Sequence, residues 1–217
     1  MNKQLAKNNL IKQQLRTNAV LDTSILDLYQ SIDREAFVPP EYRAFAYSDM
    51  QIPLSHQQQM LTPLEEALIL QALQLKGDER ILEIGSGTGF FTALLSKRAQ
   101  QIISIDFFET FTQRAQNNCT AQASTNIEFI TGNGCQGWAA RAPYDVVVFT
   151  GGIETITEIH KLQLQIGGKL FAIVGTPPAQ SGNLYQIDAA GKWSQQLIFE
   201  TSTPLLSDKQ RHQQFVF

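Results

Sequence analysis

An α/β fold built on a mostly parallel, doubly wound, Rossmann-like sheet is what this sequence predicts, with an antiparallel hairpin at its C-terminal end and helices ahead of it. Three observations predict it. Strand-like and helix-like segments alternate from Arg80 to Gly175, and such alternation calls for parallel strands joined by crossover helices. The run Ile81-Leu82-Glu83-Ile84 leads straight into Gly85, Gly87 and Gly89 and then into a helix, which is how ligand loops sit at the carboxyl ends of such strands. With 217 residues, 43% of them hydrophobic, the chain is long enough for one α/β core and short for two. A single domain over residues 1–217 is therefore expected, with 1–61 as a helical and irregular addition and 62–217 as the Rossmann-like core.

The elements follow in order. Leu5, Leu10, Ile11 and Leu15 recur at helical spacing, and Asp22 caps a second helix carrying Ile25, Leu26, Leu28, Tyr29 and Ile32. Phe37-Val38-Pro39-Pro40 ends helix formation, because proline lacks the amide proton and pushes its predecessor to extended geometry. Residues 37–61 read as ordered but irregular. Thr62-Pro63-Leu64-Glu65 combines a capping box with proline at the first helical position and starts a helix running to about Leu75. Strands are expected at Arg80–Ile84, Ile102–Asp106, Ile127–Thr131, Tyr144–Thr150 and Lys169–Gly175, with helices over about Thr88–Ala99, Glu109–Thr120 and Ile156–Leu164. Thr176-Pro177-Pro178 reads as a strand stop. Leu184–Asp188 and Trp193–Glu200, joined at Ala190-Gly191-Lys192, form the closing hairpin.

Composition narrows the partners. A formal charge of −3 gives no basic surplus for a phosphate backbone, so nucleic acid is not expected. Cys119 and Cys135 are far apart and form neither a disulfide framework nor a thiolate metal site. No metal is expected. The polar start from Met1 to Arg16 lacks an apolar signal core, and no run approaches the length that spans a bilayer. A cytoplasmic protein without a membrane partner is expected, and the sequence leaves its oligomeric state open.

The glycine loop specifies a ligand. A dinucleotide loop reads Gly-x-Gly-x-x-Gly, whereas here Gly85, Gly87 and Gly89 alternate, with Ser86 between the first two and Glu83 just before them. An acidic side chain repels a pyrophosphate but suits a cofactor with an ammonium group and a sulfonium, directly or through water. S-adenosyl-L-methionine meets that description, and the fold is then that of the class I S-adenosylmethionine-dependent methyltransferases. Asp106 closes the next strand and is placed to accept both ribose hydroxyls, with capping of the helix near Phe108 as its alternative role. Asn133 and Gly134 are placed to meet the adenine through a side-chain amide and a backbone amide, or to form a plain turn. Phe107 or Phe108 is placed to stack on the adenine or to serve the core.

Further motifs extend nearly end to end: Gln14-Leu15, Phe37-Val38-Pro39, Glu41-Tyr42-Arg43, Ala46-Tyr47, Ile52-Pro53-Leu54, the glycine loop, Gly132-Asn133-Gly134, Pro143-Tyr144-Asp145, Gly167-Gly168-Lys169-Leu170, Val174-Gly175 and Thr203-Pro204-Leu205. In these the chain resembles the protein-L-isoaspartate O-methyltransferase family. The resemblance implies an S-adenosylmethionine-dependent O-methyltransferase for protein repair, acting on the abnormal carboxylate of isoaspartyl residues in proteins or peptides. In the family a Gly-Gln-Thr-Ile-Ser run precedes the equivalent of Pro63, and its serine belongs to the acceptor site. Aligned on Pro53 and Pro63, this chain carries Leu61 in place of that serine, Gln59 in place of the threonine, and Asn133 in place of an aspartate in the adenine site.

A carboxylate acceptor is already anionic, so alignment and exclusion of water matter more than acid or base chemistry. No general base is assigned. Gln58 is a candidate substrate contact or, equally, an exposed residue; His56 is a candidate contact but a structural hydrogen-bonder first, and Thr62 is a helix cap before it is a contact. Two other function classes are weighed against this one. A methyltransferase for a different carboxylate would share every cofactor residue, and a noncatalytic S-adenosylmethionine-binding scaffold would keep the loop but not the acceptor site. The tetrad that grips a base amine in DNA and RNA methyltransferases is absent after the fourth strand, which reads Phe149-Thr150-Gly151-Gly152.

Overall fold

The computed structural model describes residues 3–206; residues 1, 2 and 207–217 of the expected span lie outside the described residues. The chain opens with α1 (Lys3–Asn9), a π-helical stretch (Leu10–Leu15) and α2 (Thr23–Ser31). Asp22 caps α2, its carboxylate accepting the Ser24 amide at 2.9 Å. Residues 37–61 hold 3-10 turns and one small antiparallel hairpin, β1 (Ile52–Pro53) with β2 (Gln59–Met60). The capping box then starts α3 (Pro63–Leu73): the Glu65 amide donates to Thr62 Oγ1 at 3.1 Å, and the Thr62 amide donates to Glu65 Oε2 at 2.8 Å.

The sheet is assembled from β3 (Arg80–Ile84), β4 (Gln101–Asp106), β5 (Ile127–Thr131), β6 (Tyr144–Ile153), β7 (Leu164–Thr176), β8 (Ala179–Ile187) and β9 (Trp193–Thr201). Between them lie α4 (Phe90–Ser96), α5 (Glu109–Ala121) and the short α6 (Glu158–Lys161). Spatial order is β5-β4-β3-β6-β7-β8-β9, with the first five parallel and the last two antiparallel. The direction of winding reverses between β3 and β6, and the crevice at such a switch point is where open α/β sheets hold ligands.

Side-chain alternation divides the core into two layers. Ile81, Ile102, Val146, Val148, Phe171 and Ile173 join the N-terminal helices, α3 and α4, while Leu82, Ile103, Val147, Leu170 and Ala172 face the opposite layer with Trp138 and Leu164. Several extents differ from the sequence reading: β7 begins at Leu164 and not at Lys169, α4 is shorter at both ends, and three further differences have clear causes. β6 continues through Gly151 and Gly152, because Gly152 pairs with Ile173 of β7. β8 begins at Ala179, since Pro177-Pro178 forms the turn of a hairpin in which Thr176 pairs with Ala179. Its polar start is hidden from hydrophobic patterning because Gln180 is buried and satisfied, donating to Gly175 O and accepting the Thr203 amide. The third difference is the helix expected over Ile156–Leu164, which shrinks to Glu158–Lys161 because Leu164 is already paired with Tyr144.

Candidate functional site

A cleft opens at the carboxyl ends of β3, β4 and β6, the edge of the sheet where open α/β folds hold ligands. Its floor is the glycine loop, where Gly85, Gly87 and Gly89 all have positive φ, at 103°, 52° and 83°. They serve different ends. A Cβ on Gly89 would lie 2.8 Å from the Ala115 Cα, so this glycine lets the loop press on α5, away from the cleft. A Cβ on Gly87 would meet only a Leu54 methyl, at 3.8 Å, and would project into the cleft. Gly87 therefore keeps ligand space open.

Asp106, at the end of β4, faces the same cleft. One carboxylate oxygen accepts the Gly87 amide at 3.0 Å and the other accepts the Phe108 amide at 3.0 Å. Burial raises its pKa, and those two amides pull the other way. Capping the turn into α5 and facing the cleft are thus one geometry, and each carboxylate oxygen keeps acceptor capacity beyond its one backbone bond. Phe107 lines the cleft and is 45% exposed, which leaves its ring free to stack. Phe108 has one face covered by the His56 ring, parallel at 3.9 Å. Asn133 and Gly134 also line the cleft; Asn133 Oδ1 accepts the Cys135 amide at 3.0 Å, so turn formation is part of its work.

Glu83 does not line the cleft. Alternation along β3 puts it on the Ile81 face, beneath α4, where it is fully buried. Thr92 Oγ1 and Ser104 Oγ both donate to Glu83 Oε2 at 2.6 Å, while Oε1 is buried with no partner among the described residues. Burial pushes the carboxyl up to about 7. Ser86 is likewise turned inward, 2.7 Å from Ser104 Oγ. These residues brace the loop from behind, and Glu83, Ser86 and Gly89 are not among the residues that line the cleft.

The other end of the cleft is walled by the β1–β2 hairpin and the segment after β9. Gln58, Gln59 and Thr203 line it, while Leu54 and Thr150, also cleft-lining, stand against Gly87 and Gly85 of the glycine loop. Gln59 Nε2 donates to Thr203 Oγ1 at 3.3 Å and to Ser202 O at 3.4 Å. Leu61 instead points into the core, 3% exposed, while its carbonyl accepts from the buried Arg34 Nη2 at 2.6 Å. His56 is occupied by Phe108 and lies 3.3 Å from Thr110 Oγ1, and Thr62 caps α3. Of the acceptor candidates, the structure brings only Gln58 and Gln59 to the cleft. Sequence reading missed Thr150, Gly151 and Leu206 as lining residues. It noticed Thr203 only as part of a motif. Asp106 is the one charged side chain among the described lining residues.

Among the described residues no cluster of three or more His, Cys, Asp or Glu is arranged to hold a metal ion, and no helix is long and apolar enough to cross a membrane. S-adenosylmethionine fits the donors that are present: an acidic side chain beside a glycine whose missing Cβ leaves room, an exposed aromatic ring, and a backbone turn at Gly134.

Comparison with known proteins decides the family. Residues 5–207 match the family described as protein-L-isoaspartate(D-aspartate) O-methyltransferase. The chain belongs to that family. A protein-L-isoaspartate O-methyltransferase 1 of Rhodopseudomonas palustris is 34% identical over 169 residues, covering 78% of this chain and 69% of the relative. One from a Polaromonas species is 32% identical over 203 residues, covering 94% and 86%. Among solved structures, a protein-L-isoaspartate O-methyltransferase is 24% identical with a TM-score of 0.77, and the match covers 91% of this chain but 64% of that one. A structure from Plasmodium falciparum, in complex with S-adenosyl-L-homocysteine, is 18% identical with a TM-score of 0.78 and covers 94% and 98%.

Membership in the isoaspartate O-methyltransferase family sharpens the departure at the acceptor end. Leu61, which alignment on Pro53 and Pro63 sets against the family's serine, faces the core with its backbone pinned to Arg34. The threonine position is Gln59, and its longer side chain spans to Thr203.

Proposed function

We propose that this chain binds S-adenosylmethionine in the cleft and transfers its methyl group to the carboxylate of isoaspartyl residues in proteins or peptides. The observation that carries the reading is the continuity of one cleft, from Gly87 and Asp106 at one end to Gln59 and Thr203 at the other, in a member of this family. Gly87 and Asp106 hold the ribose, Phe107 and Gly134 hold the adenine, and the hairpin from Leu54 to Gln59 covers the reacting atoms from water. The cofactor supplies an electrophilic methyl group when bound.

Held beside that methyl group, an acceptor carboxylate oxygen would be the nucleophile, with the methyl–sulfur bonding pair left on sulfur. No proton changes hands. That matches a cleft in which Asp106 is the one charged side chain among the described lining residues, its two oxygens each accepting a backbone amide. Catalysis then rests on alignment and on exclusion of water. The protein supplies little else. Neither Cys119 nor Cys135 is in a disulfide, which fits a reducing, cytoplasmic setting. Mass spectrometry of an isoaspartyl peptide incubated with the protein and S-adenosylmethionine tests the reading. A base-labile mass gain of one methylene on the isoaspartyl residue supports it, and an unmodified peptide refutes it.

A further inference from the structure

Resting on that proposed activity, we infer that Thr203, together with Gln59, binds the acceptor carboxylate, so that the hydroxyl missing at position 61 is supplied from the strand end after β9. Leu61 gives the cleft no donor, because its side chain lies in the core and its carbonyl is held by Arg34 at 2.6 Å. Restoring a hydroxyl there would not bring it to the cleft. Thr203 does reach it. Its backbone is fixed, with the amide donating to Gln180 Oε1 at 2.7 Å, while Gly152 N donates to Pro204 O at 3.0 Å and Leu206 N donates to Gly152 O at 2.7 Å. These bonds hold the segment from Thr203 to Leu206 rigidly beside Gly151 and Gly152.

The chemistry of the pair suits an anion. Thr203 Oγ1 is the acceptor in its bond from Gln59 Nε2, so the hydroxyl proton is left to donate. The two bonds of Gln59, at 3.3 and 3.4 Å, are longer than a well-formed N–H···O bond, so its amide is weakly committed. A carboxylate oxygen between the two side chains would replace weak bonds with charge-assisted ones. Thr203 is 3% exposed, and in such a site a hydrogen bond to a charged group counts for more than in water. Both donors are neutral. A cation in their place would hold the carboxylate more tightly but withdraw charge from the oxygen that must attack, whereas an amide and a hydroxyl orient it and leave it nucleophilic.

The test measures initial rates with an isoaspartyl peptide and, separately, calorimetric affinity for S-adenosylhomocysteine. Thr203→Val keeps shape and backbone bonds and removes only the hydroxyl. It should lower kcat/KM for the peptide roughly ten- to a hundredfold with cofactor affinity unchanged. Thr203→Ser should keep most of the activity, and Gln59→Glu should raise the peptide KM by placing a like charge against the acceptor. Wild-type rates in Thr203→Val, or a fall shared equally by Thr203→Ser, would overturn the assignment. So would a parallel loss of S-adenosylhomocysteine binding. If the wild type itself transfers no methyl group to the peptide, the proposed function fails and this assignment with it, whereas an active wild type with an indifferent Thr203→Val overturns the assignment alone.

Discussion

The Gly87 amide donates to the Asp106 carboxylate at 3.0 Å, tying the glycine loop to the end of the neighbouring strand. Removing that carboxylate takes away the anchor of the loop and, on the proposed function, the acceptor for the ribose. Asp106→Ala should weaken S-adenosylhomocysteine binding by about 1.5–3 kcal/mol. Calorimetry reads this directly, and an affinity equal to wild type would leave Asp106 with its capping role alone.

Gly87 and Gly89 should respond differently to alanine. Both have positive φ, which costs a residue with a Cβ about 1–2 kcal/mol. At Gly89 the Cβ also runs into the Ala115 backbone, whereas at Gly87 it meets only a methyl at 3.8 Å. Gly89→Ala should therefore lower the melting temperature more, and Gly87→Ala should lose more cofactor affinity. A Gly87→Ala protein that is folded and binds S-adenosylhomocysteine normally would show that the ligand does not approach this backbone.

Glu83 gives the fold a pH dependence of known sign. Burial raises its pKa from 4.5 to about 7, so between those values the folded protein keeps a proton that the unfolded chain releases. Its contribution to stability falls as pH rises through that window, and the full penalty is present above about 7. Glu83→Gln has no proton to lose, so its stability should decline less than wild type from about pH 5 to about pH 8 in urea unfolding. Glu66, pushed up to about 8 by burial, keeps part of the slope in the variant. Identical slopes for wild type and Glu83→Gln would contradict the assignment.

Much of this is legible in the sequence, and the rest depends on which face of a strand a residue takes or on contacts far apart in the chain. The capping box at Thr62 and Glu65, the cap at Asp22 and the strand Arg80–Ile84 rest on local chemistry or on strict periodicity, and they appear where expected. Glu83 was read by its nearness in sequence to the glycines, but the two-residue period of a strand turned it under α4. Leu61 marked a departure from the family without saying which way it faced, since that depends on Arg34, far away in sequence. Thr203 reaches the cleft only through pairing of its neighbours with Gly152, a long-range contact that no local pattern announces.

Leu61→Ser should damage the fold and leave the reaction rate where it is. The side chain is packed in the core, so the change leaves a cavity and a buried hydroxyl, at a cost of about 2–5 kcal/mol. A lower melting temperature with no faster methyl transfer is expected. A gain in rate would mean that position 61 faces the acceptor after all.

The most direct measurement compares initial rates of methyl transfer from labelled S-adenosylmethionine to an isoaspartyl peptide and to the same peptide with normal aspartate. The cleft, with Gly87 and Asp106 at one end and Gln59 and Thr203 at the other, predicts saturable transfer to the isoaspartyl peptide and little to its aspartyl counterpart. Folded protein that binds S-adenosylhomocysteine but labels neither peptide, or labels both alike, would contradict the account.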